Sequence, residues 1–380
     1  MPINDREKDA GGRSGVTTLL ERAAAAAVRA EDRLCGAIED VFLADDARLD
    51  DRTRLGMTRL LAQLTGAVEA TLRRHAARLL IARDEAALAD RVSAPALPII
   101  GRLIASGLLR DPEVMRELLG RIRQDAIADA LPTSAPDDPE RSSLLPRLLH
   151  HANPAVGAGA AALLAAESRR RLSGPDGTSS SSDLPAELQH RLVWWSAAAV
   201  RTDLPDAAGA TTSALDRALA EAAQHVIAAH HERDRLEAVA LQLAVALDPT
   251  PADRARLLME ALLDRRLSLC IALIAQGLGL DYADTREIVL DPSGDRLWLT
   301  LRAIDLDRAT IARFGLSLAE ADPRRDIDGF ADTLNDIAEI DCVAARHALA
   351  PLLLHRDYRA ALTAFARGTR RTSAVRGAPA

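Results

Sequence analysis

Met57, Leu61, Leu64, Val68, Leu72 and Leu79 recur at three- and four-residue steps, with His75 or Ala76 completing the run and Arg59, Gln63, Arg73 and Arg74 on the other faces. That spacing draws one apolar stripe along a helix and cannot serve a strand, whose faces alternate every second residue. It predicts an amphipathic helix of about eight turns. Val16 to Ala44, running through Ala23–Ala27, is an equally long partner. The N-terminal region therefore reads as a long helical hairpin, and its apolar faces offer a surface through which two copies would self-associate.

The same bias runs through the rest of the chain. Hydrophobic residues make up 48% of the sequence but aromatics only 2%, so Ala and Leu carry the core while Val, Ile and Thr are sparse. Ala and Leu lose little side-chain entropy in a helix, whereas strands favour β-branched and aromatic residues. The expected fold class is all-α.

Two segments break the helical pattern. Residues 132–140 carry a cluster of prolines, which remove backbone donors and favour extended geometry. Residues 173–183 are Ser- and Gly-rich and have the composition of a flexible linker. They divide the chain into an N-terminal helical region over 16–131, a helix pair over 141–172 and a C-terminal helical domain over 184–368. Residues 1–15 and 369–380 have the composition of disordered tails. The polar stretch Met1–Gly15 lacks the apolar core of a signal peptide. Leu267 to Leu280 is the most apolar stretch, well short of the roughly 20 residues of a membrane span.

Asp111-Pro112, Asp248-Pro249, Asp291-Pro292 and Asp322-Pro323 each place a carboxylate before a proline, the pattern of a helix start. Gly279 and Gly315, each followed by Leu, read as helix stops. Leu247-Asp-Pro-Thr-Pro-Ala-Asp-Arg254 returns, one residue shorter, as Leu290-Asp-Pro-Ser-Gly-Asp-Arg296. The offset of roughly 42–43 residues matches the period of HEAT-type helix pairs. The expected architecture is a HEAT-like helix-pair stack, an α-solenoid, preceded by the N-terminal hairpin.

Residues from about 236 to 362 carry a further pattern: Ala255-Arg-Leu-Leu258, Ile271-Ala-Leu-Ile-Ala-Gln-Gly-Leu-Gly-Leu280, Ile288-Val-Leu-Asp-Pro292, Arg302-Ala-Ile-Asp-Leu306 and Phe314-Gly315. This stretch resembles an alphaproteobacterial family known as domain of unknown function 2336. The resemblance implies a helical, HEAT-like fold and supplies no activity, cofactor or catalytic residue to carry over.

The formal net charge is −7, and Lys8 is the only lysine. Such a chain has no global attraction for phosphate backbones or anionic lipid. Cys35, Cys270 and Cys342 are odd in number and widely spaced, which suits a reducing cytoplasm and no metal site. Glu221 and His225, four apart, can share a helix face, but His230 and His231 fall five and six residues beyond His225 and turn away from it, so solvated helix-end histidines are expected. No nucleophile elbow occurs, and Gly277-Leu-Gly279 lacks the partners of a phosphate loop. The expectation is therefore no catalytic residue, no metal and no cofactor.

Two features point towards recognition. Trp194 and Trp195 project about 100° apart on a helix, so both bury only if that helix is covered on two sides; an uncovered indole would anchor a partner. Arg169, Arg170 and Arg171 form the densest basic cluster, at a position that also complements a helix dipole. A non-catalytic protein-interaction scaffold or adaptor is the reading these features support, with a protein partner and with Trp194, Trp195 and Arg169 to Arg171 as its contacts. The alternative is a nucleic-acid-binding regulator through residues 267–291, where Ala275, Gly279, Leu280 and Ile288 follow a helix-turn-helix pattern. Its second helix opposes Arg286 with Asp281, Asp284, Glu287 and Asp291, and Thr285 stands where Val or Ile would pack. The third reading is an enzyme with a site assembled from scattered carboxylates and histidines.

Overall fold

The computed structural model describes residues 48–94, 96–132, 143–172, 182–204, 210–359, 361–362 and 365. Every regular element among them is helical. The expected Val16–Ala44 helix, Cys35, both tails and most of the two linkers lie outside the described residues.

The chain divides into two units, Met1–Leu55 and Gly56–Ala380. In the first, the Asp50 carboxylate accepts hydrogen bonds from the Thr53 amide at 2.6 Å and the Thr53 hydroxyl at 2.9 Å. Helix α1 (Asp51–Ile81) starts there.

Of the expected stripe of α1, Met57, Leu64, Val68, Leu72 and Ala76 are buried and Leu61 and Leu79 half-buried, while Leu80 is buried beside them. Short helices α2 (Ala86–Ser93) and α3 (Ile100–Ala105) follow, then α4 (Pro112–Ala130). Asp111 caps α4 as expected, its Oδ1 accepting from the amides of Glu113 and Val114 at 3.0 Å each. Beyond it come α5 (Leu144–Leu149), α6 (Pro154–Leu172), α7 (Ala186–Thr202) and α8 (Ala210–Ala228).

The remaining helices are α9 (Leu236–Leu247), α10 (Pro251–Leu263), α11 (Leu267–Leu278), α12 (Tyr282–Leu290), α13 (Asp295–Ala303), α14 (Arg308–Ala321), α15 (Ile327–Glu339) and α16 (Cys342–Leu349). Pairs pack along one another: α6 with α9, α9 with α11, α7 with α8, α14 with α15, and α13 with α16.

Among the described residues of this unit two large apolar cores form, with a small third one of Ala303, Ala345 and Leu349 where α13 meets α16, and neither large core follows the linkers. One joins α1, α2 and α3 to α7 and α8, through residues such as Leu72, Leu103, Leu192 and Leu215. The other joins α5 and α6 to α9–α15, through Leu145, Leu163, Leu243, Ile271 and Phe314. Helix α4 belongs to both, giving Val114 and Leu118 to the first and Ile127 to the second. Its central position places three polar residues, Glu117, Arg121 and Gln124, inside the protein.

Several expected helix boundaries differ. Asp248, Asp291 and Asp322 each end a helix and start none. The residue before a proline is pushed out of the helical region, so Asp-Pro also works as a stop. The caps of the following helices are supplied by Thr250 and Asp326. Gly279 does end α11 in the left-handed conformation, φ +70°. Gly315 instead lies within α14, where a Cβ would sit 2.4 Å from Phe330. It is glycine because an aromatic ring crosses it, and that ring stacks on buried Trp298 at 4.2 Å.

Candidate functional site

On α4, Glu117, Arg121, Gln124 and Asp125 recur at helical spacing, which in sequence is indistinguishable from a solvated face. Tertiary packing covers it. Arg170 reaches in from the end of α6, Asp183 from the segment before α7, Arg235 and Glu237 from the start of α9, and Tyr282 and Arg286 from α12. Arg170 Nη2 donates to Glu237 Oε1 at 2.6 Å and to Asp183 Oδ2 at 2.5 Å. Arg286 Nη2 donates to Glu117 Oε2 at 2.6 Å. Arg235 lies 3.7 Å from Glu117 and 3.5 Å from Glu237. The Tyr282 hydroxyl donates to Gln124 Oε1 at 3.2 Å.

The electrostatics of this network are uneven. Burial alone would raise the Glu237 carboxyl, but Arg170, Arg235, Arg121 and Arg286 overcome it and hold the group well below the usual carboxylate range. Arg170 is raised well above its ordinary value, because Glu237, Asp183 and Asp125 outweigh its burial. Arg121 goes the other way: burial lowers it, Arg170 lowers it further, and its carboxylate neighbours do not restore the difference. Its nearest acidic atom is Asp183 Oδ2 at 3.7 Å, beyond hydrogen-bond reach. Arg121 is 5% exposed, and its Nε and Nη1 have no hydrogen-bond partner. Asp125, whose side chain is half-exposed, is raised by desolvation against the pull of Arg170 and Arg121.

The network borders two recesses. A cavity of about 300 Å³ is lined by Leu64 and Val68 of α1, Arg121 and Asp125 of α4, Arg170 of α6 and Gln189 of α7. A wider cleft of about 860 Å³ meets the same network at Glu117, Glu237, Tyr282 and Arg286.

The residues singled out from sequence fall into different settings. Arg170 is turned inward and its fork is engaged by Asp183 and Glu237. Arg169 and Arg171 are exposed, and Arg169 Nη2 donates to the Asp234 carbonyl at 2.9 Å. Trp194 and Trp195 are both half-buried against the first core, and Trp194 Nε1 donates to His190 Nε2 at 3.1 Å. Neither tryptophan borders the two recesses.

Segment 267–291 does form two helices meeting at 117°, within the range of helix-turn-helix pairs. Its second helix is covered, however: Arg286 is 2% exposed, Asp284 is buried and takes a bond from Arg359, and Glu287 pairs with Arg356 at 2.9 Å. Thr285 is tolerated inside because its hydroxyl donates to the Asp281 carbonyl at 3.0 Å.

Of the histidines, His225 lies against His75 with ring centres 4.2 Å apart and planes tilted by 50°, and Glu221 pairs with Arg83 at 2.6 Å. Among the described residues no three metal-ligating side chains converge. Cys270 is sealed in the second core, where burial pushes its thiol far above the ordinary range.

After α13 and α16 pack together, the end of the helical array leaves Val343, Leu353, Leu354, Tyr358 and Leu362 exposed. A small groove of about 150 Å³ lies beside them, lined by Leu278, Leu280, Leu349 and Leu353. Among the described residues no single helix is long and apolar enough to cross a membrane.

A family model described as an uncharacterised protein conserved in bacteria (DUF2336) matches residues 177–366. No curated protein and no solved structure matches the chain.

Proposed function

The chain belongs to the bacterial DUF2336 family, and from that premise we propose that it is a non-catalytic scaffold whose helix pairs form a HEAT-like array for protein recognition. The observation that carries the reading is the apolar end of the array, Val343, Leu353, Leu354 and Tyr358 beside the Leu278–Leu349 groove. Stacked helix pairs bury a continuous core between neighbours, and terminal pairs are ordinarily polar on the outside. A clustered apolar end therefore marks a contact surface. Helices α13 and α16 are already packed on one another, and the occupant that fits such a groove is an amphipathic helix of a partner protein. Trp194 and Trp195, each with part of its ring accessible, offer a second contact. Free Cys270 and Cys342 suit a cytoplasmic setting.

Photo-crosslinking from position 343 in the native bacterial host tests this. One protein should be captured reproducibly from position 343 and not from exposed Ile104. The Val343→Asp/Leu353→Asp variant should lose that same protein while keeping its helical circular dichroism. Equal capture from both positions, or capture indifferent to the double substitution, would remove the surface from consideration.

A further inference from the structure

We propose, on the premise that the groove beside Leu353 takes up a partner helix, that this helix is acidic and presents an Asp or Glu side chain to Arg346. The groove is lined by Gly277 and Leu278 of α11, by Leu280, by Arg346 and Leu349 of α16, and by Leu353. Its walls are apolar apart from one guanidinium. Arg346 is exposed, and its Nε donates to the Ala303 carbonyl at 2.7 Å. That bond covers the end of α13, an ordinary role for arginine, but it engages one nitrogen of a fork built for more. Among the described residues Nη1 and Nη2 have no partner, and no carboxylate pairs with Arg346.

Its surroundings deepen the imbalance. Arg254 lies behind Gly277, where a Cβ would stand 3.1 Å from Arg254 Nε. Its Nη2 donates to the Pro249 carbonyl and to Gln276 Oε1, at 3.2 Å each, both neutral acceptors. Arg302 donates to the carbonyls of Ile340 and Leu306. These three arginines thus have neutral acceptors alone, whereas Arg170 and Arg286 of the central network are met by carboxylates. The proton affinity of Arg254 is lowered by burial and then by Arg346, and Asp248 offsets only part of it. Residues 366–380 contain four arginines and neither Asp nor Glu, so they do not supply the missing charge. A charge on the rim of an apolar groove chiefly selects which partner is accepted. A leucine stripe on the incoming helix would fill the groove, and a carboxylate flanking that stripe would meet Arg346.

Fluorescence anisotropy of the full chain with labelled helical peptides of about 18 residues tests this. The peptides share one leucine stripe and differ only at the flanking positions, all Glu, all Gln or all Lys, residues of similar helix propensity. The Glu peptide should bind at least tenfold more tightly than the Lys peptide, although the net charge of −7 favours the basic one. Arg346→Gln should erase that preference and Arg346→Lys should keep it. If Arg346→Gln loses its helical circular dichroism, potassium chloride decides: salt should weaken binding of the Glu peptide to the wild type and leave the Gln peptide unchanged. Equal binding, a preference for Lys, a Glu preference that survives Arg346→Gln, or equal salt sensitivity overturns the acidic helix. In those cases the groove itself still stands if Leu353→Asp weakens all three peptides. Binding of none, or binding indifferent to Leu353→Asp, removes the groove and the acidic helix together.

Discussion

Arg286 on α12 and Glu117 on α4, 169 positions apart in the chain, meet at 2.6 Å with side chains only 3% and 7% exposed. The pair ties the centre of the fold together, and Gly120 makes room for it: a Cβ there would lie 2.7 Å from Arg286 Nε. Removing one partner of a buried ion pair strands the other charge. Glu117→Leu should therefore destabilise the protein by about 3–5 kcal/mol, whereas Glu117→Leu with Arg286→Met should recover much of the loss. Urea unfolding of the two single variants and the double variant measures the coupling, and strict additivity would contradict the pairing.

Gly315→Ala should be costly although alanine is the better helix former. The new methyl group would displace Phe330 from its stack on Trp298. Overpacking of this kind costs about 1–3 kcal/mol. The check is a lowered unfolding midpoint together with altered tryptophan emission; an unchanged midpoint would mean that Phe330 moves aside freely.

Stability should fall below neutral pH through His75. Burial lowers its proton affinity first, followed by the charges of His225, Arg78 and Arg74. The unfolded chain thus takes up the proton before the folded one. Stability is full above the ordinary histidine value of 6.5 and is lost as pH falls through it towards the depressed folded value. His230 is shifted in the same direction, chiefly by burial. Thermal melts at pH 7.5 and 5.5 should differ less for His75→Gln/His230→Gln than for the wild type. An equal difference in both proteins would rule out these residues as the source.

Asp111→Ala removes an acceptor used by two amides at the start of α4 and should cost about 1–2 kcal/mol. Asp291, another residue that precedes a proline, caps no helix start, its Oδ1 accepting from Ser293. Asp291→Ala should cost measurably less than Asp111→Ala in parallel denaturant melts. Equal losses would show that the helix-cap geometry does not set the difference.

The α1 stripe, the Asp111 cap and the Gly279 stop were legible because each depends on residues within one or two helical turns. The Asp-Pro starts at 248, 291 and 322 were misread because the same dipeptide can stop one helix or begin the next, and the neighbouring packing selects between them. Gly315 was misread for a related reason: its role comes from Phe330, which belongs to another helix. The charge network left no local signal, since Glu117, Arg121 and Asp125 have the spacing of any solvated helical face.

Sequence alone determined that this chain is helical, because helix formation is settled by local backbone and side-chain preferences summed over many residues. Tertiary structure decided which faces meet. It placed α4 between two cores that cross the apparent linkers, turned Arg170 and Arg286 inward, left Arg121 without a hydrogen-bond partner on Nε and Nη1, and left Val343 and Leu353 uncovered. Burial depends on which helices pack on which, and that is a property of contacts between residues far apart in the chain.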